Sequence, residues 1–98
     1  MPLYSIRRNI GPTSRDEIDA AGFRAIVCAS EYPGLRWIRS FWHEDGQFLT
    51  CYYIADSPDQ IRQHAHQSNI PCDEIVEVTE ILPELVPGAP EREPAAAS

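Results

Sequence analysis

The chain predicts an α+β fold, ordered β-α-β-β-α-β, with a four-stranded antiparallel sheet and two helices on one of its faces. Three observations predict it. Two runs rich in aromatic and branched residues, Leu35 to His43 and Gln47 to Ala55, meet at Glu44-Asp45-Gly46. Two capped segments with helical spacing, Ser14 to Tyr32 and Ser57 to Ser68, flank that pair. Short strand-like runs, Leu3 to Asn9 and Glu74 to Leu82, open and close the pattern.

Leu3, Tyr4 and Ile6 give the first strand its apolar contacts, and Gly11-Pro12 ends it. Ser14-x-x-Glu17 matches a capping box, and Asp16 and Glu17 suit the positive start of a helix. Ile18, Ala21, Ala25, Cys28, Ala29 and Tyr32 then form one stripe, which Pro33-Gly34 stops. Phe23, Ile26 and Val27 lie largely off it, so this helix offers a second surface, a docking stripe for an interaction module. Asp-Gly between apolar runs predicts a type I′ hairpin turn, with positive φ at Asp45 and Gly46. For the second helix, Ser57 is the N-cap, Pro58 takes the first position and Gln60 closes a capping box. Asn69 followed by Ile70-Pro71 ends it. Ile75, Val76, Val78 and Ile81 furnish the last strand.

This order is the split βαβ arrangement of ferredoxin-like domains, and right-handed crossovers put both helices on one side. A two-residue Asp45-Gly46 turn sets Ser40 opposite Cys51, on a face shared with Ile38, Trp42, Leu49 and Tyr53. The other face carries Trp37, Arg39, Phe41, His43, Phe48, Thr50, Tyr52 and Ile54. Both faces are apolar and aromatic, whereas a sheet with one wet face alternates cleanly. The expectation is a homodimer packed sheet to sheet, as in dimeric α+β barrels.

The 98 residues make one domain, expected over residues 1–86. Residues 87–98, rich in Pro and Ala, are expected to be a disordered tail, because they have almost no apolar surface to bury. The net charge is −7, eight arginines stand against fifteen acids, and lysine is absent. That balance argues against nucleic acid and an anionic membrane surface, and suits a cationic partner such as a metal ion. No apolar run approaches the roughly 20 residues of a membrane span. The N-terminus lacks the apolar core of a secretory signal, and three widely spaced cysteines are no disulfide framework. The expected location is cytoplasmic.

Three candidate sites remain. His64 and His66 look like a metal pair, but helical residues two apart point about 200° apart, so they cannot share a site. His64 falls on the inward stripe with Ile61, Ala65 and Ser68, and His66 faces outward. If the Cys51 face is the one covered by helices, His64 reaches Cys51; if not, the sheet separates them, and the sequence leaves both open. A thiolate and an imidazole suit nickel, copper or zinc, or a histidine-activated cysteine nucleophile, against which stands a buried cysteine as plain apolar filler. At the hairpin end, His43, Glu44 and Asp45 put an imidazole and two carboxylates on an exposed turn. Between two packed sheets, Trp37, Arg39, Phe41 and Tyr52, or alternatively Trp42 and Tyr53, would line a ligand pocket, with Arg39 holding a carboxylate or phenolate. No catalytic constellation and no organic-cofactor motif is present.

The pattern Trp37-x-x-Ser40, Asp45-Gly46, Cys51-x-Tyr53-x-Ala55, Ile61-Arg62-x-His64-Ala65 and Pro71-x-Asp73-Glu74-Ile75 resembles the small actinobacterial nickel-binding, nickel-responsive proteins. The likeness spans about Pro2 to Leu82. It implies a ferredoxin-like subunit, a homodimer and nickel at the dimer surface, without established catalysis. The chain departs from the family pattern at Arg7-Arg8, near Ile54 and after the turn, where acidic residues and a lysine are expected. The functional expectation is a dimeric protein that binds or responds to a nickel-type divalent ion through His64, Cys51, His43 and Glu44. The alternative is an enzyme or small-ligand binder of the dimeric α+β barrel type.

Overall fold

A computed structural model describes residues 1–90. The strands and helices are β1 (Leu3–Asn9), α1 (Arg15–Ala29), β2 (Arg36–His43), β3 (Phe48–Ile54), α2 (Pro58–Ser68) and β4 (Glu74–Val78), followed by a short 3₁₀ turn at Pro83–Leu85. The sheet order is β2-β3-β1-β4, antiparallel throughout. This is the predicted α+β arrangement, with both helices on one face. The expected tail begins in irregular chain at Pro87, and its residues 91–98 lie outside the described residues. Among the described residues no helix is long and apolar enough to cross a membrane.

The helix ends follow their local chemistry. Ser14 accepts from the Glu17 N–H while the Glu17 side chain accepts from the Ser14 N–H, which satisfies two of the donors orphaned at a helix start. Ser57 accepts from the Gln60 N–H, but the Gln60 side chain reaches one residue further back, to the Asp56 N–H at 2.8 Å. The second reciprocal bond therefore forms outside the expected box. Asn69 closes α2 in the left-handed region at φ 57°, a conformation asparagine tolerates better than most residues. Arg24 of α1 donates to the Ser68 carbonyl at 2.9 Å, tying the end of α2 to its neighbour.

Which face lies inside is now fixed. Tyr4, Ile6, Leu49, Cys51 and Tyr53 are buried beneath Ile61, His64, Ala65 and Ser68 of α2. Helix α1 covers the same face less tightly, since Ala25 is its one buried residue. Phe23, Ile26 and Val27 project outward, with Phe23 70% exposed.

Three expectations are corrected. The hairpin register is as expected, Ser40 against Cys51 and His43 against Phe48. The turn, however, is not type I′: positive φ falls on Gln47, at 56°, and not on Asp45 or Gly46. Gln47 donates to the Glu44 carbonyl at 3.2 Å, and its own carbonyl accepts from the Ile10 and Gly11 N–H groups, which pins this loop to the end of β1. Gly46 is needed for close approach, because a Cβ there would meet the Phe48 ring at 2.6 Å. Second, a β-bulge at Ile38 shifts β2, so that Trp37 pairs with Tyr53 and Arg39 with Tyr52. The extra residue moves Trp37 to the helix side and Ile38 to the open side, the reverse of the expected placement. Third, β4 ends at Val78 instead of Leu82. Val78 pairs with Leu3, the first residue of β1, and beyond it no strand remains to continue the ladder.

Candidate functional site

Alternation along β1 carries Tyr4 and Ile6 into the core, and the same period carries Arg8 in behind them. Arg8 is 1% exposed. Its Nε donates to Cys51 Sγ at 3.4 Å, and its Nη1 donates to the Pro71 carbonyl at 2.8 Å. Its guanidinium carbon lies 5.6 Å from the centre of the Tyr53 ring. Nη2 is buried and has no hydrogen-bond partner among the described residues. Burial pushes the Tyr53 phenol up to about 12, with Arg8 opposing that rise, so Tyr53 keeps its proton at neutral pH. The sequence named Cys51 and Tyr53 as candidates but passed over Arg8. The signal was available: in a strand that buries Tyr4 and Ile6, residue 8 shares their face.

His64 is as deeply buried, at 1% exposure. Its Nε2 lies 2.9 Å from the Ala25 carbonyl, which only accepts, so Nε2 carries the proton and Nδ1 is an acceptor. That Nδ1 is buried without a partner. Burial is the largest influence on this imidazole and pulls its pKa below the ordinary value; nearby Arg8 acts in the same direction, and the Ala25 bond opposes both. The ring stands edge-on to Tyr32 at 5.7 Å and tilted against Tyr53 at 5.8 Å. Cys51 and His64 thus lie on the same side of the sheet, yet each is engaged elsewhere, Cys51 by Arg8 and His64 by Ala25.

His43 and Glu44 sit at the far end of the hairpin, both exposed. The His43 ring stacks on Phe48 with centres 4.1 Å apart, and its Nε2 lies 3.2 Å from Thr50 Oγ1. Arg7 sits 3.7 Å over the same Phe48 ring. That guanidinium opposes a second cation close by, while Glu44 and Asp45 favour one. Among the described residues no three His, Cys, Asp or Glu side chains gather where one ion could be held. One chain by itself does not fit a nickel ion: the buried pair is committed to other partners, and the exposed end offers fewer donors than a closed site needs.

The pocket residues divide between the faces. Arg39, Phe41 and Tyr52 line an open-face groove of about 360 Å³, together with Leu3, Ile38 and Val78. Phe41 meets Tyr52 edge-on at 6.1 Å. Trp37 and Tyr53 stack on the opposite side of the sheet, centres 6.3 Å apart, where Trp37 Nε1 donates to Ser40 Oγ at 2.9 Å. Of the four residues expected together, the bulge at Ile38 sets Trp37 apart from Arg39, Phe41 and Tyr52, and Tyr53 lies on the helix side as its place in β3 predicted.

Comparison with known proteins agrees with this architecture. The family described as nickel responsive protein SCO4226-like matches residues 4–78. The crystal structure of SCO4226 from Streptomyces coelicolor A3(2) superposes with a TM-score of 0.73 at 12% identity, covering 82% of this chain and 99% of that one. At that identity the likeness speaks for the fold. No curated protein matches the sequence.

Proposed function

The chain belongs to the SCO4226-like family of nickel-responsive proteins, and from that premise we propose that it is a metal-responsive protein that takes a nickel-type divalent ion at its surface, as a homodimer and without catalysis. The observation that carries this reading is the family match over residues 4–78. Donor chemistry supports the surface over the core. An imidazole is a good nickel donor, and His43 is an exposed histidine flanked by carboxylates at Glu44 and Asp45. Entry of an ion into the core would have to displace the Arg8 and Ala25 contacts of Cys51 and His64 and bury a charge beside a guanidinium. Two copies together double the donors that His43 and Glu44 supply. A pairing through the open face is supported by Phe41, 52% exposed, and Val76, 46% exposed, which leave apolar surface uncovered among Ser5, Arg7, Arg39 and Thr50.

Calorimetric titration with Ni²⁺ tests the proposal. Wild-type protein binds, His43→Ala loses at least tenfold in affinity, and His64→Gln keeps it. Binding unchanged in His43→Ala would overturn the surface assignment, and no binding by the wild type would overturn the metal reading. A second reading rests on the open-face groove, where Arg39 lies among Phe41 and Tyr52. An anionic aromatic molecule fits it by charge and stacking. Displacement of an arylcarboxylate by the groove-filling variant Ile38→Trp would favour that reading.

A further inference from the structure

The core holds a cation, Arg8, with no counter-charge among the described residues. Arg8 is 1% exposed, and no carboxylate pairs with it among the described residues; the ion pairs of Arg15 with Asp19 and of Arg62 with Asp59 are on the surface. A buried charge is costly unless it is paired and its hydrogen bonds are met. Arg8 meets a thiol, a carbonyl and the Tyr53 ring, and Nη2 has no hydrogen-bond partner among the described residues.

Beside it lies a cavity of about 50 Å³, between α1 and the sheet. Arg8, Ser40, Cys51 and Tyr53 give its lining a polar part, and Ile18, Leu49 and Ile70 are among its apolar walls. One water needs roughly 10–15 Å³ on the same measure, so the space holds about three to five waters, enough for one monatomic ion with a water or two beside it and too small for organic acids of any length. Two groups of its lining, Arg8 and Tyr53, favour an anion over a cation. Arg8 is charged, and Tyr53 keeps the proton that makes it a donor. Access is also built in. The cavity shares Ile18, Gly22, Trp37, Ser40 and Leu49 with an outer groove of about 540 Å³. Trp37, 39% exposed, lies 3.3 Å from where a Gly22 Cβ would stand, so the indole closes the passage against a helix that has one buried residue.

We propose that this cavity is a binding site for a single small anion of halide size, held by the free edge of the Arg8 guanidinium. The anion neutralises the buried charge and joins β1 to the underside of α1. The site is independent of any metal at the surface.

Diffraction from crystals soaked in bromide, read at the bromine absorption edge, tests it together with thermal unfolding at fixed ionic strength in bromide, chloride or gluconate. The expected results are an anomalous peak within hydrogen-bond distance of Arg8 Nη2 and a saturable rise in Tm with halide over gluconate. Arg8→Met abolishes both. Because that variant also alters the core, Ala21→Val fills the cavity from the helix side while leaving Arg8 in place, and it too loses the halide-dependent rise while still unfolding cooperatively. An empty cavity in the bromide map, or a Tm the same in halide and gluconate, overturns the proposal. So does a thiolate absorption at neutral pH that Cys51→Ser removes, since the counter-charge would then be the sulfur.

Discussion

Strands β1 and β3 turn Tyr4, Ile6, Arg8, Leu49, Cys51 and Tyr53 toward the helices, and Ser5, Arg7, Phe48, Thr50 and Tyr52 away from them. The covered side holds Arg8 on the sheet and His64 on α2 above it, each with one buried atom unpartnered among the described residues. The open face carries aromatic surface, with Phe41 half exposed. Hydrophobicity alone does not separate the two. What separates them is the second layer. A face under a helix must satisfy its polar groups locally, because no water reaches them, whereas an open face can leave apolar rings at the surface for another surface to cover.

The comparison is broken most forcefully from the covered side. Ile61 is fully buried against the sheet, so Ile61→Ala costs about 2–5 kcal/mol by loss of transfer energy and cavity formation, measured by urea unfolding. A cost below about 1 kcal/mol would mean that α2 does not seal this face as described. Ser57→Ala, which removes the cap holding α2 in register, costs about 1 kcal/mol in the same assay.

His64 sharpens the comparison through pH. Its folded-state pKa is depressed below the ordinary 6.5, chiefly by burial, so the unfolded chain takes up the proton first as pH falls. The stability contributed by neutral His64 is complete above about 6.5 and declines as pH drops below that value toward the folded pKa. Unfolding free energies measured between neutral and mildly acidic pH will show this decline, and His64→Gln will flatten it. An unchanged slope in that variant would assign the acid sensitivity to other groups.

The open side gives the smallest effect on the folded chain. Phe41→Asp changes monomer stability by no more than about 0.5 kcal/mol, because the side chain is largely outside the packed layer. The same substitution shifts the proposed dimer toward monomer in sedimentation velocity. Large destabilisation of the isolated chain would show instead that this face is packed within one copy.

Much of the fold was legible because its signals are local. Ser14 with Glu17, Ser57 with Pro58, and Asn69 mark helix ends through hydrogen bonds spanning a few residues. The hairpin register followed from the two aromatic runs and the length of the turn between them. The inward direction of His64 followed from its helical neighbours Ile61, Ala65 and Ser68. The candidate site was less legible. A bulge is a one-residue irregularity with no strong signature in this stretch, and it moved Trp37 away from Arg39, Phe41 and Tyr52. Arg8 was missed because charge usually marks the outside, although its strand period placed it within.

By itself, the sequence determined the order of the elements, where both helices begin and where α2 ends, and which residues of β1 and β3 share a strand face. Each of these depends on spacing and on contacts a few residues away. Tertiary structure alone decided which face the helices cover, that β4 stops where β1 offers no further partner, and that Arg8 meets Cys51 across the sheet. A period of two sorts side chains into two sets but does not say which set is buried. That choice is made by the packing of helices distant in the chain, and here it placed a guanidinium, an imidazole and a thiol in one interior.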